Sequence, residues 1–120
     1  MPQPPHFDVQ IFDNLRLELR RGSLILAVLA QLRTEQYGYI LRKSLTDLGL
    51  DIDENTIYPL LRRLETQGLL SSVWREQDKR NKRFYQLSPA GLAIFERLRG
   101  EWQQLNDSLT RVMDDQLVRP

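Results

Sequence analysis

The chain has 120 residues, of which 41% are hydrophobic and 28% are charged, enough for one folded domain with an appended element but not for two domains. It has no cysteine, which excludes disulfides, iron–sulfur ligation and thiol catalysis and fits a reducing, cytoplasmic location. The longest apolar run, Leu24 to Ala30, is far shorter than the ~20 residues of a membrane helix, so no membrane partner is expected.

Residues 1–10 are predicted to form a flexible N-terminal arm, which holds three of the six prolines. His6, the only histidine, lies in this arm and is poorly placed to act as a catalytic base. A first helix is expected from near Ile11 to about Arg33. Gly22 and Ser23 either mark a cap and a break or lie inside one helix, where the glycine costs ~1 kcal/mol, and the sequence leaves both open.

Two shorter helices follow. The second is predicted over Tyr37–Leu48 and ends at Gly49. The third is predicted over Asp53–Gln67, with Asp53 as its N-cap. Its apolar positions have the spacing of one helix face and comprise Ile57, Leu60, Leu61 and Leu64. The opposite face of this third helix is polar and carries two arginines.

A β-hairpin and a long helix complete the chain. Two β-prone runs, Leu70–Arg75 and Lys82–Leu87, are separated by six polar residues, which predicts a hairpin with a basic tip. Ser88 and Pro89 give a helix start signal, and the helix is expected to reach about Val118. Its apolar residues form a heptad seam made of Phe95, Leu98, Trp102, Leu105, Leu109 and Val112.

Neither a metal site nor a catalytic site is predicted. Asp51–Asn55 matches the opening of a calcium loop, but Thr56 and Arg62 stand where that loop requires glycine and glutamate. These carboxylates are therefore assigned to capping and loop structure. With no Gly-rich phosphate loop and no motif that pairs an acid with a base, we expect a protein that is not an enzyme and uses no cofactor.

The positive charge is concentrated in the middle of the chain. The 17 basic and 16 acidic residues nearly balance overall, yet Asn55–Ser88 holds seven basic and three acidic residues. A helix that enters the DNA major groove needs an apolar side for its own domain and a polar side for base edges. The third helix has this form, and the basic hairpin tip would reach phosphates. Alternatively, these cations only solubilise a surface helix and a turn.

We therefore predict contacts to double-stranded DNA. The residues expected to make them are Tyr37, Asn55, Thr56, Tyr58, Arg62, Arg63, Arg75, Lys79, Arg80, Lys82 and Arg83. For Tyr37, a phosphate contact and a place in the core are equally supported by the sequence.

Four segments resemble the PadR family of bacterial transcriptional regulators. They are Leu19–Leu24, Tyr37–Leu41, Asn55–Leu70 and Lys82–Gly91, and Thr-Ile-Tyr-Pro-Leu-Leu is the most specific part. The resemblance implies a winged helix-turn-helix, a homodimer, and repression of a promoter operator that a small molecule or stress signal relieves. It also implies that Pro59, unusual inside a helix, belongs to the recognition helix. The single C-terminal helix indicates the shorter branch of the family.

The expected fold is mainly α with a small β-hairpin: a flexible arm (1–10), a winged helix-turn-helix (11–91) and a C-terminal dimerisation helix (92–120). The seam of that helix, with Leu15 and Leu19, is predicted to form the dimer contact or an effector pocket. Trp102 would then pack as dimer core or line a cleft in which a flat aromatic effector stacks. Two other functions stay open, a weakly specific architectural DNA-binding protein and a winged-helix protein–protein adaptor.

Overall fold

The computed structural model describes residues 6–118, with side chains through Asp114. Four helices and three short strands follow one another as helix, strand, two helices, a strand pair and a last helix. This mainly helical architecture with a small antiparallel sheet confirms the predicted fold class. None of the helices within residues 6–118 combines the length and apolar character that a membrane-crossing segment needs.

Helix α1 spans Val9–Gln31 without a break. It starts at Val9 because the Asp8 carboxylate accepts hydrogen bonds from the backbone N–H groups of Gln10 and Ile11, at 2.8 and 3.4 Å. Residues 9 and 10, predicted as part of a flexible arm, are therefore helical, whereas residues 1–5 of that arm lie outside the described residues. Gly22 lies inside the helix, with open space around it. Of the two alternatives that the sequence leaves open, the structure therefore shows the continuous helix and not a break at Gly22 and Ser23.

Helices α2 (Gly38–Asp47) and α3 (Glu54–Thr66) lie within one residue of their predicted bounds. Gly49 follows α2 with a φ of 86°, a left-handed conformation that glycine adopts without strain. Asp53 caps α3, since its carboxylate accepts a hydrogen bond from the Thr56 N–H at 2.9 Å. The predicted capping role of Asp53 is confirmed.

The sheet has strands β1 (Gln36–Tyr37), β2 (Leu70–Gln77) and β3 (Arg80–Leu87) in the antiparallel order β1-β3-β2. Strands β2 and β3 are longer than predicted, because only Asp78 and Lys79 form the turn. Both have positive φ, 54° and 65°, as a two-residue turn between twisted antiparallel strands requires. The polar residues 76, 77, 80 and 81, predicted as loop, pair in the ladder. We call residues 70–87 the wing.

Helix α4 spans Pro89–Val118, and the Ser88 hydroxyl accepts a hydrogen bond from the Gly91 N–H at its start. The core joins the second half of α1 to α2, α3, the sheet and Phe95 of α4. Outside this core, the first half of α1 and most of α4 are exposed, including their apolar residues. The molecule is consequently elongated, with principal extents of 62 × 32 × 21 Å.

Candidate nucleic-acid interface

One face of helix α3 packs in the core, and the opposite face is exposed to solvent. Its four predicted apolar residues are all buried. The opposite face is exposed and presents Asn55, Thr56, Pro59, Arg62, Arg63 and Thr66. Tyr58 lies at the border of the two faces, partly buried and packed against the core. The helix thus has the apolar and polar sides that a groove-reading helix needs.

The polar face of α3 and the wing meet at one open cleft of about 440 Å³, which we call the wing cleft. The side chains that line it from α3 and the start of α2 are Tyr58, Arg62, Tyr37 and Tyr39. Those from the wing are Trp74, Arg80, Asn81, Lys82, Arg83 and Tyr85. The structure therefore brings together six of the eleven residues predicted to contact DNA.

Gly38, the first residue of α2, allows Tyr58 to lie against the cleft. A Cβ atom at Gly38 would stand 2.8 Å from the Tyr58 hydroxyl oxygen and closer still to the ring. Any larger residue at position 38 would therefore push Tyr58 away from its place beside Arg62.

Tyr37 belongs to an aromatic cluster at the base of the wing. Its ring packs edge-on against Phe84 with 5.4 Å between centroids and stacks on Tyr39 at 6.5 Å. The Lys82 ammonium nitrogen lies 4.4 Å from the centroid of the Tyr37 ring, a cation–π contact. Tyr37 is partly buried, so packing is one of its roles, and its predicted phosphate contact stays a prediction.

Arg83 is held by groups of its own chain. Its guanidinium donates to the Glu65 carboxylate at 2.6 Å and to the Ser72 hydroxyl at 3.0 Å, and Ser72 also donates to Glu65. The same guanidinium lies over the rings of Trp74 and Tyr85. Burial raises the pKa of Tyr85 above its ordinary value of 10.0, against the lowering effect of Arg83. Arg83 thus ties the wing to α3 from the inner side of the cleft.

The other wing cations differ in the ion pairs and ring contacts that they form within the chain. Arg75 forms a two-pronged ion pair with Glu35 and lies over the Phe84 ring. Lys82 has a side chain only 21% exposed and lies 4.0 Å from Asp78. Lys79 and Arg80, by contrast, are exposed, and no carboxylate in the described part of the chain forms an ion pair with either. They are the two wing cations best placed to meet a phosphate.

Two exposed aromatic residues of the wing cleft, Tyr39 and Trp74, are not among the residues predicted to contact DNA. Tyr39 is 61% exposed and Trp74 is 65% exposed, which is unusual for such large apolar rings. The sequence contains one signal for Trp74: Val73 and Trp74 are adjacent apolar residues in a strand, so their side chains point to opposite faces and cannot both enter one core. Cations beside these exposed rings suit a surface that meets the phosphate backbone of a nucleic acid.

The predicted dimer or effector residues form a second surface along α1 and α4. Phe95 is 3% exposed and belongs to the subunit's own core, where Arg33 lies over its ring. The remaining residues of this group are exposed, namely Leu15, Leu19, Leu98, Trp102, Leu105, Leu109 and Val112. An open groove of about 370 Å³ between the two helices has Trp102 and Phe95 on one side and Leu26, Ala27 and Ala30 on the other.

Comparison with known proteins places this geometry among transcriptional regulators. Residues 25–97 match the profile of the transcriptional regulator PadR-like family. The chain is 38% identical over 77 residues to the transcriptional regulator Rv3488 of Mycobacterium tuberculosis, covering 63% of this chain and 72% of that protein.

Two solved structures share the fold. A PadR family transcriptional regulator from Eggerthella lenta is 42% identical, with a TM-score of 0.82 over 88% of this chain and 94% of that one. A PadR-like transcription factor from Bacteroides fragilis is 28% identical, with a TM-score of 0.69 over 82% and 98% of the two chains.

Proposed function

This chain belongs to the PadR-like family of transcriptional regulators, and from that premise we propose that it is a dimeric, sequence-specific repressor that binds a promoter operator and is released by a small-molecule or stress signal. Proteins of this family regulate transcription and are not enzymes. One observation carries the proposal: Arg62 on the polar face of α3 and Arg80 of the wing, both exposed, line the same cleft.

Helix α3 is the proposed reading element. Arg62 can donate two hydrogen bonds to a guanine, and Asn55 can form the corresponding pair with an adenine. Both side chains are exposed on the face opposite the core, so an α-helix in a groove about 12 Å wide can present them to base edges. These two residues are therefore the proposed source of sequence specificity.

The wing is the proposed phosphate-binding element. Lys79 lies in the turn and Arg80 at the start of β3, at the end of the wing farthest from the core. Cations on such a projecting tip neutralise phosphates beside the groove that the helix enters, which strengthens binding to every sequence. Arg83 and Arg75, which are held by Glu65 and Glu35, act by fixing the position of the wing.

A homodimer is supported by the apolar surface along α1 and α4. An isolated subunit would leave Leu15, Leu19 and most of the α4 seam in water, and a run of exposed apolar residues of this kind often marks a protein–protein interface. A two-fold partner would cover the same residues on both subunits and present two α3 helices to two half-sites.

The groove beside Trp102 is the proposed effector site. Its apolar walls suit a flat aromatic molecule, which would stack on the indole. A ligand bound between α1 and α4 would change the spacing of the two α3 helices in the dimer and so weaken its binding to DNA.

A gel-shift titration on DNA from upstream of the chain's own gene tests the DNA-binding part. We expect binding that a specific fragment competes for far better than random DNA and that weakens as salt is raised. Equal competition by random DNA would indicate an architectural protein, and no binding at low salt would indicate a protein–protein adaptor. A reporter under this promoter tests repression, since transcription should rise when the gene for the regulator is deleted.

A further inference from the structure

Besides the wing cleft, α3 borders a second groove, which has a volume of about 440 Å³ and lies on the flank of α3 that faces away from the wing. We call it the α1 groove, because α1 forms its other wall. Arg62 and Tyr58 line the wing cleft, whereas Thr56 and Arg63 line the α1 groove. The reading face of α3 therefore has an open depression on each side.

The α1 groove combines an apolar floor with cationic edges. Its floor is formed by Leu24, Ile25, Pro59 and Leu60. Arg21 of α1 and Arg63 of α3 stand on opposite edges, both exposed, and Thr56 adds a hydroxyl group. None of the acidic side chains that the structure describes lines this groove, although Asp51 and Asp53 line an adjoining one that shares Arg21 and Thr56. No ion pair within the described part of the chain engages either arginine.

This chemistry matches a sugar–phosphate backbone. The deoxyribose is largely apolar and can rest on an apolar floor, and each phosphate oxygen accepts hydrogen bonds that guanidinium groups donate in a two-pronged geometry. A helix in the major groove is bordered by both DNA strands, since their backbones form the two edges of that groove. The wing borders one flank of α3, and α1 borders the other.

We propose that the α1 groove binds the sugar–phosphate backbone of the strand on the side away from the wing, with Arg21 and Arg63 as phosphate ligands and Thr56 as a hydroxyl donor. The proposal rests on the DNA-binding function above and adds α1 to the interface. Arg21 lies before residues 25–97, the part of the chain that matches the family profile.

Affinity measurements across a salt series test the role of Arg21. With the fragment from upstream of the chain's own gene, Arg21→Ala should bind about fivefold more weakly at about 0.15 M salt. The slope of log affinity against log salt should fall by ~0.9 for each subunit bound. Arg16→Ala is the matched control, because it removes the same charge from the same helix at a position paired with Asp13. It should bind like the unaltered protein.

Chemical ethylation of phosphates locates the contact. The unaltered protein should show interference at phosphates on both edges of the major groove. Arg21→Ala should lose only those on the edge away from the wing, and Arg21→Lys should keep them because a cation remains. Melting curves of all variants should coincide, since Arg21 is exposed.

Three results would overturn the inference while leaving the proposed function intact. They are an unchanged salt slope for Arg21→Ala, an equal loss for Arg16→Ala, and interference by ethylation on the wing side alone. If the unaltered protein shows no salt-dependent binding to any duplex, the proposed function itself is contradicted.

Discussion

Arg62 and Arg83 carry the same charge and line the same cleft, but only Arg62 is exposed and outside any ion pair of the described chain. If Arg62 pairs with a guanine, Arg62→Ala should cost ~1–3 kcal/mol on the operator and relax specificity at one base position. Competition with operators altered at single positions measures this. Equal losses on operator and random DNA would instead identify Arg62 as a phosphate ligand.

Replacing Arg83 should have the opposite effect to replacing Arg62: it should lower the stability of the fold and leave DNA binding unchanged. Its pair with Glu65 is partly buried, so Arg83→Met should lower the free energy of unfolding by about 1–2 kcal/mol, between the ranges of exposed and buried ion pairs. Denaturant unfolding measures this loss. We expect the salt slope of DNA binding to stay unchanged, because the guanidinium is already paired with Glu65 and so is not expected to neutralise a phosphate. Arg80→Ala is the matched control, with unaltered stability and a reduced slope; a reduced slope for Arg83→Met would contradict the assignment.

The wing is a two-stranded hairpin whose tip carries exposed positive charge. Replacing Lys79, Arg80 and Lys82 together by alanine should weaken binding to all sequences and flatten the salt slope by ~0.9 for each phosphate that the wing no longer neutralises. Because Lys82 is held over the Tyr37 ring, the double variant at Lys79 and Arg80 should account for most of this change. A salt series on random duplex DNA measures it, and an unchanged slope would mean that the tip points away from DNA.

The exposed first half of α1 and most of α4 project beyond the domain that encloses the hydrophobic core. Sedimentation of Trp102→Ala separates the two roles of this residue. If Trp102 is dimer core, we expect the variant to dissociate into monomers, because two large apolar rings leave the interface. If Trp102 binds the effector, the variant should stay a DNA-binding dimer that planar aromatic compounds no longer release. An unaltered protein that is monomeric at micromolar concentration would contradict both.

Local signals were sufficient to predict most elements of the fold. Asp53, Gly49 and the Ser88–Pro89 pair each act on backbone groups within a few residues, so the boundaries they set could be read from the chain. Strand β1 could not, because two residues carry no periodicity and form a strand only by pairing with Tyr85 and Phe84. The hairpin was predicted with a six-residue tip, and its shorter turn at Asp78 and Lys79 was not, since neither residue is a glycine or asparagine of the usual turn signal.

Three features could be predicted from the amino-acid sequence alone: α3 has an apolar face and a polar face with two arginines, a basic hairpin follows, and α4 carries a long apolar seam. Each of these depends on periodicity and composition along one segment. Which cations face solvent could not be predicted, because Arg75 pairs with Glu35 across 40 residues and Arg83 pairs with Glu65 across 18, and folding alone brings these partners together. The tertiary structure also placed Phe95 in the core and Arg21 beside α3, because burial and ion pairing depend on neighbours that only folding brings together.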